Sequence, residues 1–284
     1  MWAVMRRGRW KPVCAGGADW AWSCGRSTSS LGRMSGTRFV DLFSEQADLY
    51  ASARPRYPEE LFAFVASIAP AHRRAWDCGT GSGQAAVSLA LHFDEVFGSD
   101  PSAQQIAHAI TVCNVSYSVQ RAEETTFPDQ YFDAICAAQA LHWLDFGAFF
   151  SEVKRVAAPN APFVAWGYNW FSVSPEFDAV FKSTVLDIIS PYWAPQNRWL
   201  WNGYADIPLP FARIRTPEFI IRTHWDFHQL LAYVRTWSAT RGCMSAGGST
   251  FFDSAQQELL LLWGLPEWKR DIAMPLHVLA GLVS

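Results

Sequence analysis

Trp76-Asp77-Cys78-Gly79-Thr80-Gly81-Ser82-Gly83 sets an acid and three alternating glycines where a strand-like run passes into a helix-like one. Three glycines within five residues let the backbone turn tightly and approach a ligand closely. A side chain at Gly79, Gly81 or Gly83 would obstruct that approach. The stretch therefore points to a nucleotide-like ligand.

The spacing separates two ligands. A dinucleotide site asks for a small residue three positions after the second glycine, so that helix and strand pack while the pyrophosphate rests on the helix N-terminus. Gln84 stands there, and the extra glycine falls one residue early, at Gly83. Asp77 ahead of the turn would repel a pyrophosphate but suits a ligand carrying an ammonium and a sulfonium. Those groups belong to S-adenosylmethionine. Downstream, Val96-Phe97-Gly98-Ser99-Asp100 reads as a short buried strand ending in an acid, before Pro101 and a helical run from Ser102. An acid about twenty residues past a glycine turn can accept both ribose hydroxyls. The alternative for Asp100 is a plain helix cap.

From Leu61 onward strand and helix signals alternate, as a doubly wound parallel α/β sheet requires. Helices are expected at Glu59–Ile68, Gln84–Phe93, Ser102–Val112 and Phe146–Ala157. Strands are expected at Arg74–Asp77, Glu95–Asp100, Val115–Gln120, Phe132–Ala138 and Pro162–Trp170. Asp77, Asp100, Glu123 and Gln139 all fall at or just past the carboxyl ends of such strands, where ligands of these sheets bind. After Trp170 the pattern loosens into an aromatic-rich region with Tyr192, Trp193, Trp199, Trp201 and Tyr204. Asp226-Phe227-His228-Gln229 is a capping box opening a helix to Trp237, and Asp253–Trp263 suits another. Edge strands are expected at Glu218–Arg222 and Leu276–Leu282.

An ordered set of motifs carries a family resemblance: Tyr50-x-x-x-Arg54-Pro55-Arg56-Tyr57-Pro58, Asp77 to Gly83, Asp100-Pro101-Ser102, Ala122-Glu123, Phe132-Asp133, and Ala138-Gln139-Ala140-Leu141-His142-Trp143. From about Val40 to its end the chain resembles the class I S-adenosylmethionine-dependent methyltransferases. Within them it resembles the type 11 group that includes trans-aconitate methyltransferase-like enzymes. The resemblance implies a Rossmann-like seven-stranded, mostly parallel sheet under a helical, aromatic cap, with cap insertions near 171–210 and 226–265. It implies that Asp77 and the backbone of Gly79, Gly81 and Gly83 hold the methionine end of the cofactor. Asp100 would hold the ribose and Glu123 would lie near the adenine, with Gln139 also at the cofactor. Tyr50 and Arg54 would close the pocket from the N-terminal side. Small carboxylic acids are the best-known substrates of the group, so a small-molecule acceptor methylated on a carboxylate oxygen is expected.

Composition agrees with an enzyme. Half of the 284 residues are apolar, the net charge is only −3, and no basic stripe marks a nucleic-acid surface. No apolar run has the length of a membrane span. Six cysteines without C-x-x-C pairing read as reduced thiols of a cytoplasmic protein. Residues 1–33 differ from the rest. They carry Arg6, Arg7, Arg9, Lys11, Arg26 and Arg33 against a single acid, Asp19. This segment reads as a disordered extension, either a mitochondrial or plastid transit peptide or an over-long gene model starting before Met34, with the enzyme domain at 34–284.

Two residues are candidates for the chemistry. His142, just past the fourth core strand, can act as a general base near neutral pH or can simply bond a loop carbonyl. Arg241 can clamp a carboxylate bidentately or can be a solvent-exposed helix end. His224 and His228 lack a third ligand, so no metal is expected. The aromatics of the cap either face the sulfonium or pack. A macromolecular acceptor, a nicotinamide-dependent oxidoreductase and a non-catalytic cofactor binder are the rival readings; Gln84 and Asp77 disfavour the second.

Overall fold

The computed structural model describes residues 54–247 and 249–284. The expectations for residues 1–33 and for Tyr50 lie outside the described residues. Pro58 precedes helix α1 (Glu59–Ile68), whose first turn carries Glu59 and Glu60 at the positive end of the helix dipole and which buries Leu61, Phe62, Val65 and Ala66. Strand and helix then alternate through β1 (Arg74–Cys78), α2 (Gln84–Leu89), β2 (Glu95–Asp100), α3 (Ala103–Ala107), β3 (Val115–Val119), β4 (Ala134–Ala138), α4 (Phe146–Val156) and β5 (Pro162–Gly167). Every residue of β5 is buried, as is most of β4, which is the mark of parallel strands covered on both faces.

Helices α2 and α3 stop short of the expected Phe93 and Val112. Beyond α3 the chain turns back toward the glycine loop, where the Ile110 amide donates to the Ser82 carbonyl at 3.0 Å and the Tyr117 hydroxyl to the Ile110 carbonyl at 2.9 Å. These bonds replace the next helical turn.

The later strands are β6 (Ala212–Arg213), β7 (Ile220–Trp225), β8 (Arg270–Pro275) and β9 (His277–Leu282). The main sheet has seven strands in the order β3-β2-β1-β4-β5-β9-β6. The first five run parallel, and β9 is antiparallel to both β5 and β6. One expectation is corrected. The segment expected at Glu218–Arg222 as an edge of this sheet instead forms β7 and pairs with β8 in a separate antiparallel ribbon, Ile220 opposite Pro275 through Trp225 opposite Arg270. Six residues of pairing with β8 satisfy more backbone groups than the short place beside β9, which Ala212 and Arg213 occupy.

One cap layer follows β5: α5 (Pro175–Phe181), a π-helical turn at Lys182–Leu186, α6 (Asp187–Ile189) and α7 (Asn197–Trp201). A second consists of α8 (Phe227–Arg235), α9 (Ser238–Ser245) and α10 (Ser249–Trp263). The capping box is present at the start of α8, with the Gln229 amide donating to Asp226 and the Gln229 side chain accepting from the Asp226 amide. On one face of the sheet Trp76 stacks on Phe132 with ring centres 5.8 Å apart, beside Phe149 and Phe127. On the other face α1 and the cap helices share a core around Trp166, Phe177 and Trp263. Among the described residues no helix is long and apolar enough to cross a membrane.

Candidate active site

The strand order reverses between β1 and β4, and a crevice opens beyond their carboxyl ends. The glycine turn sits at the β1 lip. Gly79, Gly81 and Gly83 have φ of 64°, 56° and 83°, in the left-handed region that favours glycine. Their surroundings differ. A Cβ on Gly79 would lie 2.7 Å from the Ala140 Cβ in the segment after β4, so this glycine lets the two lips of the crevice touch. A Cβ on Gly81 would meet only the Gln105 Oε1, at 3.8 Å, which leaves its outer face open to a ligand.

Asp77 is fully buried. Its Oδ2 accepts the Thr80 hydroxyl at 2.6 Å, while its Oδ1, with the Ala86 amide nearby, makes no hydrogen bond of its own. Burial pushes this carboxyl up to about 7, with the Thr80 bond opposing the shift and the negative charge of Asp100 adding to it. An orphaned, buried carboxylate oxygen beside an open glycine cradle fits the ammonium of an S-adenosylmethionine methionine end.

Asp100, half-buried at the end of β2, joins the loops. Its Oδ2 accepts the Gly81 amide at 3.0 Å and its Oδ1 the Ser102 amide at 2.9 Å. Ser102, not Asp100, caps α3, its hydroxyl accepting the Gln105 amide at 3.3 Å. Glu123, in the loop after β3, accepts the Asp145 amide at 3.2 Å and meets the Arg121 Nε at 3.4 Å, tying that loop to the start of α4. Gln139 follows β4 at φ 54°, uncommon for a non-glycine residue and frequent at functional sites. Its Nε2 donates to the Tyr168 carbonyl at 3.0 Å, and its buried Oε1 has no partner. Gln84, whose bulk spoke against a dinucleotide, donates to the Pro55 carbonyl at 2.8 Å and so pins the Arg54 segment onto the glycine turn.

Next to the crevice lies a chamber of about 70 Å³ whose walls include Arg54, Gln139, His142, Tyr168, Tyr233 and Trp237. The Arg54 Nη1 donates to the Tyr168 hydroxyl at 3.1 Å, and its guanidinium lies 5.7 Å from the centre of the Tyr233 ring. Among the described residues of the wall, Arg54 is the one that carries a formal charge at neutral pH. His142 lines the chamber on a short 3₁₀ turn, 4% exposed, with Nδ1 3.2 Å from the Tyr204 hydroxyl. Burial holds its imidazole down to about 3, and burial also raises the Tyr204 phenol, so both are neutral. Arg241 lies on α9 three residues after Ser238. Ser238 lines the chamber and Arg241 does not.

The tryptophans both pack and face the chamber. Trp170, Trp193, Trp201 and Trp237 form a cluster with ring centres 5.8 to 6.3 Å apart along its wall. Tyr168, Tyr233 and Asn197 were not singled out by the sequence, because they lie far apart in the chain and share no local pattern. His224 instead faces Asp271 across the β7–β8 ribbon at 3.0 Å, and the described residues hold no group of three or more possible metal ligands.

Asp77 leads to a pH prediction. With an unfolded value near 3.8 and a folded value near 7, the native state keeps a proton that the unfolded chain has released. Its contribution to stability is therefore fully present below about pH 4 and is lost as pH rises through 7. Between pH 5 and 7 the free protein should lose roughly 2–3 kcal/mol relative to Asp77→Asn, at about 1.4 kcal/mol per unit. Denaturant midpoints of both proteins across that range check this; parallel curves would refute it.

A family model described as a methyltransferase domain matches residues 76–165, the span from β1 through β5. A Dictyostelium discoideum protein named as a methyltransferase is 31% identical over 228 residues, covering 79% of this chain and 87% of its own. A methyltransferase of Aspergillus terreus is 30% identical over 221 residues, covering 66% and 64%. The solved structure of a type II methyltransferase from Anaeromyxobacter dehalogenans superposes with a TM-score of 0.77 at 36% identity, covering 81% of this chain and 98% of that one. The matches to these relatives extend well past residues 76–165. The chain belongs to the class I S-adenosylmethionine-dependent methyltransferases.

Proposed function

We propose that this enzyme methylates a carboxylate oxygen of a small-molecule acid, as in the trans-aconitate methyltransferase-like group, rather than a nucleic acid or a protein. The observation that carries the reading is the chamber itself. Arg54 is the formal charge among its described wall residues, apolar rings form much of the rest, and its imidazole is held far below neutrality. When bound, S-adenosylmethionine supplies an electrophilic methyl group on a sulfonium. Asp77, Asp100 and the glycine turn would hold it, with Glu123 near the adenine and Gln139 at the lip shared with the chamber. A carboxylate is ionised at neutral pH and takes the methyl through an oxygen lone pair. The C–S bonding pair stays on sulfur, and no proton moves. The contribution of the chain is alignment and exclusion of water by the tryptophan wall.

The test is methyl transfer from labelled S-adenosylmethionine onto matched acids, phenols and amines. Methyl esters are expected. Methylation of phenols or amines with none of the acids would overturn the reading. His142→Gln is expected to change kcat by less than about fivefold, because a base is not needed; a general base would cost about 10²–10⁴-fold. Stopped-time assays with an acid acceptor decide between the two.

A further inference from the structure

Trp170, Trp193 and Trp201 line a second space as well as the chamber. It is a groove of about 430 Å³ bounded by Phe171, Phe181 and Leu186. Trp170 and Trp201 remain 36% and 41% exposed, large rings left open at a boundary common to two cavities. The three rings pack on one another, and Trp170 and Trp193 also rest on the buried Trp237. Each charged residue that lines the groove has a partner. The Lys182 Nζ pairs with Asp187 at 2.7 and 2.9 Å, and Asp178 accepts the Ser172 hydroxyl at 2.6 Å and the Val173 amide at 2.9 Å. With those charges paired, the rest of the lining, save Ser190, is apolar (Trp170, Phe171, Phe181, Leu186, Trp193 and Trp201) and offers a face for hydrocarbon. The groove is also bordered by the π-helical turn Lys182–Leu186, a rare distortion that interrupts the helical run from Pro175 to Ile189 and that concentrates at functional sites.

We infer that the acceptor is a monocarboxylic acid with an apolar tail: its carboxylate lies at Arg54 in the chamber and its tail passes Trp170, Trp193 and Trp201 into the groove beside Phe181 and Leu186. The inference rests on the carboxylate reading above and adds the tail. Each methylene that enters the groove should lower KM by roughly three- to fourfold until the groove is filled.

The experiment measures KM and kcat of the full chain for saturated monocarboxylic acids of increasing length with labelled S-adenosylmethionine. The wild-type enzyme should show a KM that falls stepwise with chain length and then levels. Ser190→Trp, at an exposed groove residue, and independently Leu186→Trp should raise the ratio of long-acid to short-acid KM by tenfold or more. A KM that does not vary with length in the wild-type enzyme would overturn the tail and leave the carboxylate reading standing. Absence of an ester from acids of every length would overturn both. A folded Ser190→Trp enzyme with an unaltered length dependence would remove the groove from the site.

Discussion

Arg54→Met should lower kcat/KM for an acid acceptor by about 10²–10³-fold while the S-adenosylmethionine dissociation constant changes less than about threefold. Truncating one member of a desolvated, hydrogen-bonded charge pair costs about 2–5 kcal/mol, because the other charge is left without its partner. Arg54 meets the conditions for so large an effect: it is half-buried, held by Tyr168 and lies near the Tyr233 ring. Arg54→Lys keeps the charge and loses the planar fork, so it should recover only part of the loss. Calorimetry with the cofactor separates the two possible carboxylates. If Arg54→Met weakens S-adenosylmethionine by a hundredfold and leaves the KM of the acid alone, then Arg54 holds the cofactor, the role that the family resemblance implies, and the acceptor must be clamped elsewhere. Arg241→Ala should leave the KM of every acid within about threefold, in keeping with its place off the chamber wall.

The other large effect is expected at Asp100. Asp100→Ala should weaken S-adenosylmethionine by about 10²–10³-fold. Two contributions combine. A ribose would lose charge-assisted hydrogen bonds, at about 1.5–3 kcal/mol each. The glycine turn would lose its anchor at the Gly81 amide, and the open face of Gly81 would no longer be held toward the crevice. Asp100→Asn retains one acceptor for the two amides and should fall between the wild type and Asp100→Ala. Titration calorimetry checks the order. A dissociation constant within fivefold of the wild type for Asp100→Ala would show that Asp100 serves only the loop and does not reach the ribose.

Much of the cofactor half was legible in residue order, because it is built from short-range signals. The turn from Asp77 to Gly83 and the strand ending at Asp100 each announce themselves within a few residues, and their elements appear within a few residues of the expected bounds. The capping box at Asp226 was equally readable, since both of its hydrogen bonds lie within one turn. The β7 strand was recognisable as a strand but not by its partner. Pairing is a competition between edges, and β8, whose six-residue register with β7 decided it, carried no alternation clear enough to be expected. His142 was placed correctly beside a core strand, yet its basicity depends on burial and on Tyr204, a partner 62 positions away.

The local motifs pointed to the cofactor: an acid before the turn, alternating glycines and Gln84 in place of a small residue are properties of neighbouring residues. The acceptor chamber is another matter. Arg54, His142, Tyr168, Tyr233 and the tryptophans come together only when α1, the ends of β4 and β5 and the two cap layers pack over the crevice. Charge, desolvation and shape at that chamber are sums over residues distant in sequence, so they exist only once the chain has folded.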